Sequence, residues 1–239
     1  MQEKRKLGVI GGLGPAATAY LFSKVVEDTD AATDQDHLDV TVLNRPGIPD
    51  RTSYLLGESD RDFAPELVRA ARDLVGLGCE VVCIACVTAH AALPQVRDAV
   101  GGRAHVIDLP AEMAADLVGA GCSRVGLLAT DGTLRTGLLQ GAFSEAGLEC
   151  AVPDAEFQRL VMRTIYDEVK AGAPADMGNV DRVCAHLARK GCDGLALGCT
   201  ELPLLGLPER LRGMRVASSL DILARCAVLA CGGALRQGA

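Results

Sequence analysis

Apolar residues gather in short runs closed by glycine or proline. Between these lie longer stretches in which apolar positions recur every three or four residues. The short runs have strand length and the longer ones carry helical periodicity. Strands are predicted over 6–12 (KLGVIGG), 38–44 (LDVTVLN), 80–86 (EVVCIAC) and 104–110 (AHVIDLP). Helices are predicted over 15–29, where Pro15 suits the first turn, and over 64–78, which closes on a glycine. Strands alternating with helices imply a parallel sheet covered by helices, the α/β class.

The pattern then restarts. RVGLLATDGTLRT (124–136) matches KLGVIGGLGPAAT (6–18), with Gly8 falling on Gly126 and Thr18 on Thr136. HLARKGCDGLALGC (186–199) matches DLVGLGCEVVCIAC (73–86), with Leu74 falling on Leu187, Cys79 on Cys192 and Cys86 on Cys199. A loop difference absorbs the change of register between the two matches. Two related α/β domains follow, one over 1–115 plus 216–239 and the other over 116–215. The tail over 217–235 reads as a helix that returns to the first domain. Ligands of open α/β sheets bind at the carboxyl ends of the strands. Domains facing each other across a pseudo-twofold axis would therefore present Cys86 and Cys199 to one cleft.

Composition narrows the function. The 239 residues carry a formal net charge of −7 and are 49% hydrophobic. No long run of Lys or Arg is present, which argues against nucleic acid and against an anionic membrane surface. A small acidic ligand remains open, provided local cations hold it. The opening MQEKRKLGVIGGLGP is too short and too glycine-rich for a signal-peptide core, and no apolar run approaches a membrane span, so a cytoplasmic location is expected. The ten cysteines are then expected to stay reduced, most of them packing as small hydrophobes.

Cys86 and Cys199 are distinguished by position: each closes a strand ahead of a Thr and a helix start, where backbone N–H groups favour anions and lower a thiol's pKa. Cys83 and Cys86 form a C-x-x-C, but residues three apart on a strand point to opposite faces and no second pair completes a zinc site. No metal is expected. GGLGPAA, with Gly12, loosely meets a dinucleotide pattern, yet its second strand ends at Leu43-Asn44 rather than at an acid. A glycine turn that lets a small ligand approach the backbone is the better reading. Arg51 lies in the proline-rich loop NRPGIPDRTSYLLG, and its guanidinium suits a carboxylate. Lys170 alone reads as a surface helix residue, and His90 as structural.

Several motifs together, GGLGP (11–15), IPDRT (48–52), CVTAH (86–90), LLATDGT (127–133), IYDEVKAG (165–172) and GCTEL (198–202), carry a resemblance over essentially the whole chain. It resembles the aspartate/glutamate racemase superfamily, specifically the cofactor-independent aspartate racemase branch. The resemblance implies two flavodoxin-like domains with the active site between them, a homodimer, and racemisation of a small acidic amino acid without pyridoxal phosphate or any other cofactor. It implies Cys86 and Cys199 as the paired acid and base, Arg51 and Lys170 as carboxylate-binding residues, and Thr88, Thr130 and Thr200 as polar groups near the substrate. It implies that Gly12, Val87 and Glu201 lie close to the same site. The family usually reads Cys-Asn-Thr where this chain has Cys86-Val87-Thr88. Glu201 stands where glutamate racemases carry His, which favours the aspartate branch. A hydantoin racemase, a maleate isomerase, an arylmalonate decarboxylase or a non-catalytic binding homologue are the alternatives. The paired thiols speak against the decarboxylase and Arg51 against an uncharged hydantoin.

Overall fold

The computed structural model describes residues 4–238. The chain divides into two compact units: residues up to Asp108 with those from Leu220 onward, and Leu109–Ser219.

The first unit opens with β1 (Leu7–Gly11), α1 (Pro15–Asp28), β2 (Val40–Asn44), α2 (Arg51–Leu56) and α3 (Ala64–Gly76). It continues through β3 (Val81–Ile84), α4 (Leu93–Val100) and β4 (His105–Val106). All its strands are parallel, in the order β2-β1-β3-β4. β1 is buried along its whole length, as a central parallel strand covered on both faces must be. On α3 the buried residues Leu67, Ala70, Ala71 and Leu74 form one stripe, which packs with Ile10, Val82 and Ile84 of the sheet.

The second unit contains α5 (Leu109–Gly119), β5 (Arg124–Leu128), α6 (Asp131–Thr136), α7 (Leu138–Glu145) and β6 (Glu149–Ala151). Then come α8 (Ala155–Arg163), a π-helical segment Thr164–Val169, α9 (Met177–Arg189), β7 (Gly194–Leu197), β8 (Arg210–Leu211) and β9 (Met214–Ser218). The sheet order is β6-β5-β7-β9-β8, with β8 antiparallel at the edge. From Leu220 onward, α10 (Ser219–Ala230) belongs to the first unit.

The repeat seen in the sequence is a repeat of hydrogen-bond register. Leu7 faces Val81 and Ile10 faces Ile84; in the second sheet Val125 faces Gly194 and Leu128 faces Leu197, the residues that the two sequence matches pair. The same glycine serves both sheets. A Cβ on Gly8 would lie 3.0 Å from Leu74, and one on Gly126 would lie 2.9 Å from Leu187. In each unit a bare strand position lets a helix leucine settle on the sheet.

Several elements differ from expectation. β3 and β7 stop at Ile84 and Leu197, so each cysteine lies two residues beyond its strand. Cys86 N–H donates to the Ile84 carbonyl at 2.8 Å, which turns the chain out of the ladder. The strand predicted over 104–110 is cut to His105–Val106, because Pro110 offers no ladder donor and α5 has begun at Leu109. Arg51 opens a helix rather than sitting in a loop. The tail helix ends at Ala230, where Gly232 adopts φ +81°. No helix among the described residues is long and apolar enough to cross a membrane.

Gly12 sits against backbone in the first unit. Its φ is +90°, and an added Cβ would lie 2.4 Å from the Arg45 backbone. The close approach that this glycine permits is to the backbone of the β2–α2 loop. Gly57 has φ +77° with open space around it. Gly57→Ala should cost about 1 kcal/mol for the left-handed backbone alone, and Gly12→Ala about 3 kcal/mol or more, since strain and clash add. Urea denaturation measures both; equal costs would show that the contact with Arg45 does not constrain the fold.

Candidate functional site

In the first unit the candidate residues gather on the loops that follow β1, β2 and β3. Asp50 caps α2, its Oδ1 accepting from Ser53 N–H at 2.9 Å, and this sets Arg51 as the first helical residue. The Arg51 side chain then turns back. Nη1 donates to the carbonyls of Pro49 (2.9 Å) and Ile48 (3.3 Å), and Nη2 donates to the carbonyl of Leu13 (2.9 Å). The guanidinium thus ties the β1–α1 loop to the β2–α2 loop and is only 7% exposed. Gly12 N–H donates to Thr18 Oγ1 at 2.9 Å.

After β3, Cys86 is 6% exposed, and Val87 and Thr88 beside it are also buried. Thr88 starts a 3-10 turn, Thr88–Ala92, that leads into α4. His90 Nδ1 lies 2.9 Å from the Cys86 carbonyl. Burial pushes the His90 pKa down, so the ring is neutral and Nδ1–H is the donor. His90 therefore fixes the backbone of the cysteine, as a structural residue. Cys83 is fully enclosed, and burial holds its thiol far above the ordinary range. It shares no chemistry with Cys86.

In the second unit Thr130 caps α6. Its Oγ1 accepts from Thr133 N–H at 3.2 Å and lies 3.1 Å from Thr133 Oγ1. Gly198 N–H donates to the Leu128 carbonyl at 2.7 Å, holding the ends of β5 and β7 together just before Cys199. Three side chains then form a chain of contacts. Cys199 Sγ donates to Glu201 Oε2 at 2.9 Å. Lys170 Nζ lies 2.7 Å from Glu201 Oε1. Thr200 Oγ1 donates to Glu201 Oε2 at a long 3.5 Å. Glu201 is 3% exposed and Cys199 5%. A carboxylate this deep is tolerable because an ammonium and polar hydrogens surround it.

Lys170 is aimed by an irregularity. It follows the π-helical segment, and its N–H donates to the Ile165 carbonyl, five residues back. Such wide turns often mark functional sites. Its Nζ also sits 5.4 Å from the centre of the Tyr166 ring, within cation–π range. Lys170 is therefore a partly buried member of a charge array rather than the surface residue that its sequence context suggested.

The thiol itself departs from expectation. Helix-start N–H groups were to lower its pKa; instead burial, and then the Glu201 charge, hold Cys199 well above its ordinary value, with Lys170 offsetting part of this. Cys199 is a thiol at neutral pH. It can give a proton, and the array beside it carries one negative and one positive group. An open cavity of about 520 Å³ along α8, lined by Asp131, Gln158, Arg159, Met162, Arg163 and Tyr166 among others, does not include Cys199 in its lining. The contact geometry, rather than cavity size, marks the candidate site. Glu201 is the residue that sequence reading undervalued: the Cys-x-Glu spacing was visible, but not the bond between them.

A sequence model described as Asp/Glu/Hydantoin racemase matches residues 10–227. Among curated relatives, the glutamate racemase of Deinococcus radiodurans is 30% identical over 75% of this chain and 63% of its own length. The chain spans 52–63% of the length of the first curated relatives it matches. Among solved structures, the Picrophilus torridus aspartate racemase is 27% identical with a TM-score of 0.84, covering 98% of this chain and 96% of that one. An aspartate racemase homologue from Pyrococcus horikoshii is 25% identical with a TM-score of 0.76, covering 95% and 99%.

Arg51→Met should lower stability by about 1–3 kcal/mol, because buried carbonyls lose their donors. Urea denaturation with and without ligand measures this. A midpoint equal to the parent's would contradict the clamp and leave Arg51 as a ligand contact alone.

Proposed function

The chain belongs to the Asp/Glu/Hydantoin racemase family, and on that premise we propose that it is a cofactor-independent racemase of aspartate or a related acidic amino acid, working through Cys86 and Cys199. The observation that carries the reading is the Cys199–Glu201–Lys170 array, set two residues beyond a strand in the same way as Cys86. The resemblance to the structures of an aspartate racemase and of an aspartate racemase homologue supports aspartate over the glutamate named for the sequence relatives.

Inversion by proton transfer needs removal from one face of Cα and delivery to the other. A single group returns the proton to the face it came from. In the proposed reaction a thiolate takes the Cα proton: the C–H bond breaks, an S–H bond forms, and the electron pair moves toward the carboxylate. The second thiol gives its proton to the opposite face and becomes the thiolate. Cys199, protonated at rest, is the donor of this form, and Cys86 is the base. Running in reverse exchanges the roles. The Cα proton is weakly acidic, so the carbanionic intermediate needs nearby cations and hydrogen-bond donors. Lys170 and Arg51 are assigned to the substrate carboxylates. Arg51 carries five N–H donors, so its carbonyl bonds are compatible with that role. Thr88, Thr130 and Thr200 supply hydroxyls, and Gly12 keeps the β1 loop close. A cleft shared by the two domains, and assembly as a homodimer, are parts of the same proposal.

Val87 favours a second reading, that of a weakly active binding homologue, because its buried side chain offers no polar contact where the family usually has Asn. Val87→Asn should raise kcat/KM for aspartate by about tenfold, equivalent to one regained hydrogen bond; no change would remove the importance given to this position.

Racemisation of L- and D-aspartate, followed by chiral chromatography on reduced protein, tests the main reading. Cys86→Ala and Cys199→Ala should each lower the rate about 10²–10⁴-fold, the usual worth of a positioned acid or base. Folded parent protein inert toward every acidic amino acid would sink the reading, as would either variant keeping near-parental activity.

A further inference from the structure

The two halves of the repeat differ in one chemically decisive place. The residue two after the thiol is Thr88 in the first unit and Glu201 in the second. A hydroxyl stands in one and a carboxylate in the other, so the two cysteines share a backbone position but not an environment. The carboxylate is not idle. One oxygen receives the Cys199 S–H at 2.9 Å and the other meets the Lys170 ammonium at 2.7 Å. The ion pair pins the carboxylate where the sulfur's proton can reach it.

We propose that Glu201, anchored by Lys170, holds the resting proton on Cys199 and so decides which thiol serves as acid when substrate arrives. This deepens the racemase reading and rests on it. Among the described residues, the charged groups acting on Cys199 are Glu201 and Lys170, and burial acts in the same direction as Glu201. When Cys199 protonates Cα, its S–H bond breaks, the proton goes to carbon and the electron pair stays on sulfur. That thiolate then faces the Glu201 carboxylate, so it is the less stable of the two exchanged forms; after product leaves it recovers a proton from solvent while Cys86 gives up to solvent the proton it took from Cα. The free protein therefore rests with Cys199 protonated, and the enantiomer whose Cα–H faces Cys86 enters without a prior proton shift. Glu201 contacts the reacting sulfur rather than the substrate.

The test is site-resolved alkylation with iodoacetamide across pH, read by peptide mass spectrometry on the full chain. Glu201→Gln should move the midpoint of the Cys199 rate about one pH unit lower, giving about tenfold faster modification below that midpoint, while leaving the Cys86 midpoint in place. Glu201→Asp, which keeps the charge, should restore the parental midpoint. A site that had merely loosened would raise the rate at every pH without moving the midpoint. An unmoved midpoint in the Gln variant, or Cys199 equally inert in parent and variant, overturns the proposal. Racemisation measured on the same samples separates the two ideas. Turnover with an unmoved midpoint removes the proton anchor alone; a shifted midpoint without turnover on any acidic amino acid removes the racemase reading alone.

Discussion

Everything at the candidate site depends on the pairing of the central strands. Parallel strands end together, and the residues that follow them come off the same edge of the sheet. β1 with β3, and β5 with β7, are held in equivalent registers, Ile10 against Ile84 and Leu128 against Leu197. Gly8 and Gly126 let α3 and α9 settle on those strands, because a side chain at either would push away Leu74 or Leu187. A one-residue slip would turn each strand's faces inside out and move the thiols off the edge. The placement of Cys86 and Cys199 is thus a consequence of backbone hydrogen bonds and helix packing, set well before any chemistry.

What differs between the two edges is charge. A buried carboxylate beside a buried thiol keeps the thiol protonated, since two negative groups at that distance in a poorly hydrated place repel strongly. The Lys170 ammonium makes the arrangement tolerable. It also links substrate binding to proton chemistry: a substrate carboxylate drawn to Lys170 would compete with Glu201 for the same cation. In the first unit Arg51 and His90 bond to backbone carbonyls. One unit is built around a clamp, the other around an ion pair.

Much of this was legible in the sequence. Glycine-bounded apolar runs gave the strands, and two internal matches gave the registers that the sheets adopt. The cysteines, Lys170 and Glu201 could be named from motifs. The remainder was not, for physical reasons. Strand ends depend on where the last ladder bond forms, and Cys86 N–H bonding back to Ile84 ends β3 early. Helix-start N–H groups suggested an acidic thiol at Cys199, but burial and a neighbouring carboxylate outweigh them. The π-helical turn that aims Lys170 has no local sequence signal. The loop carbonyls that the Arg51 guanidinium meets were hidden too, because sequence does not reveal which loops lie beside it.

The central claim is that two thiols work from opposite faces of one carbon. The measurement that meets it most directly is the isotopic content of both enantiomers early in a reaction of L-aspartate in D₂O, read by NMR after chiral separation. Two thiols predict D-aspartate that carries deuterium at Cα from the outset, while the remaining L-aspartate keeps its protium. Deuterium entering both enantiomers at equal rates from the start would mean that one group serves both faces, and would contradict the account.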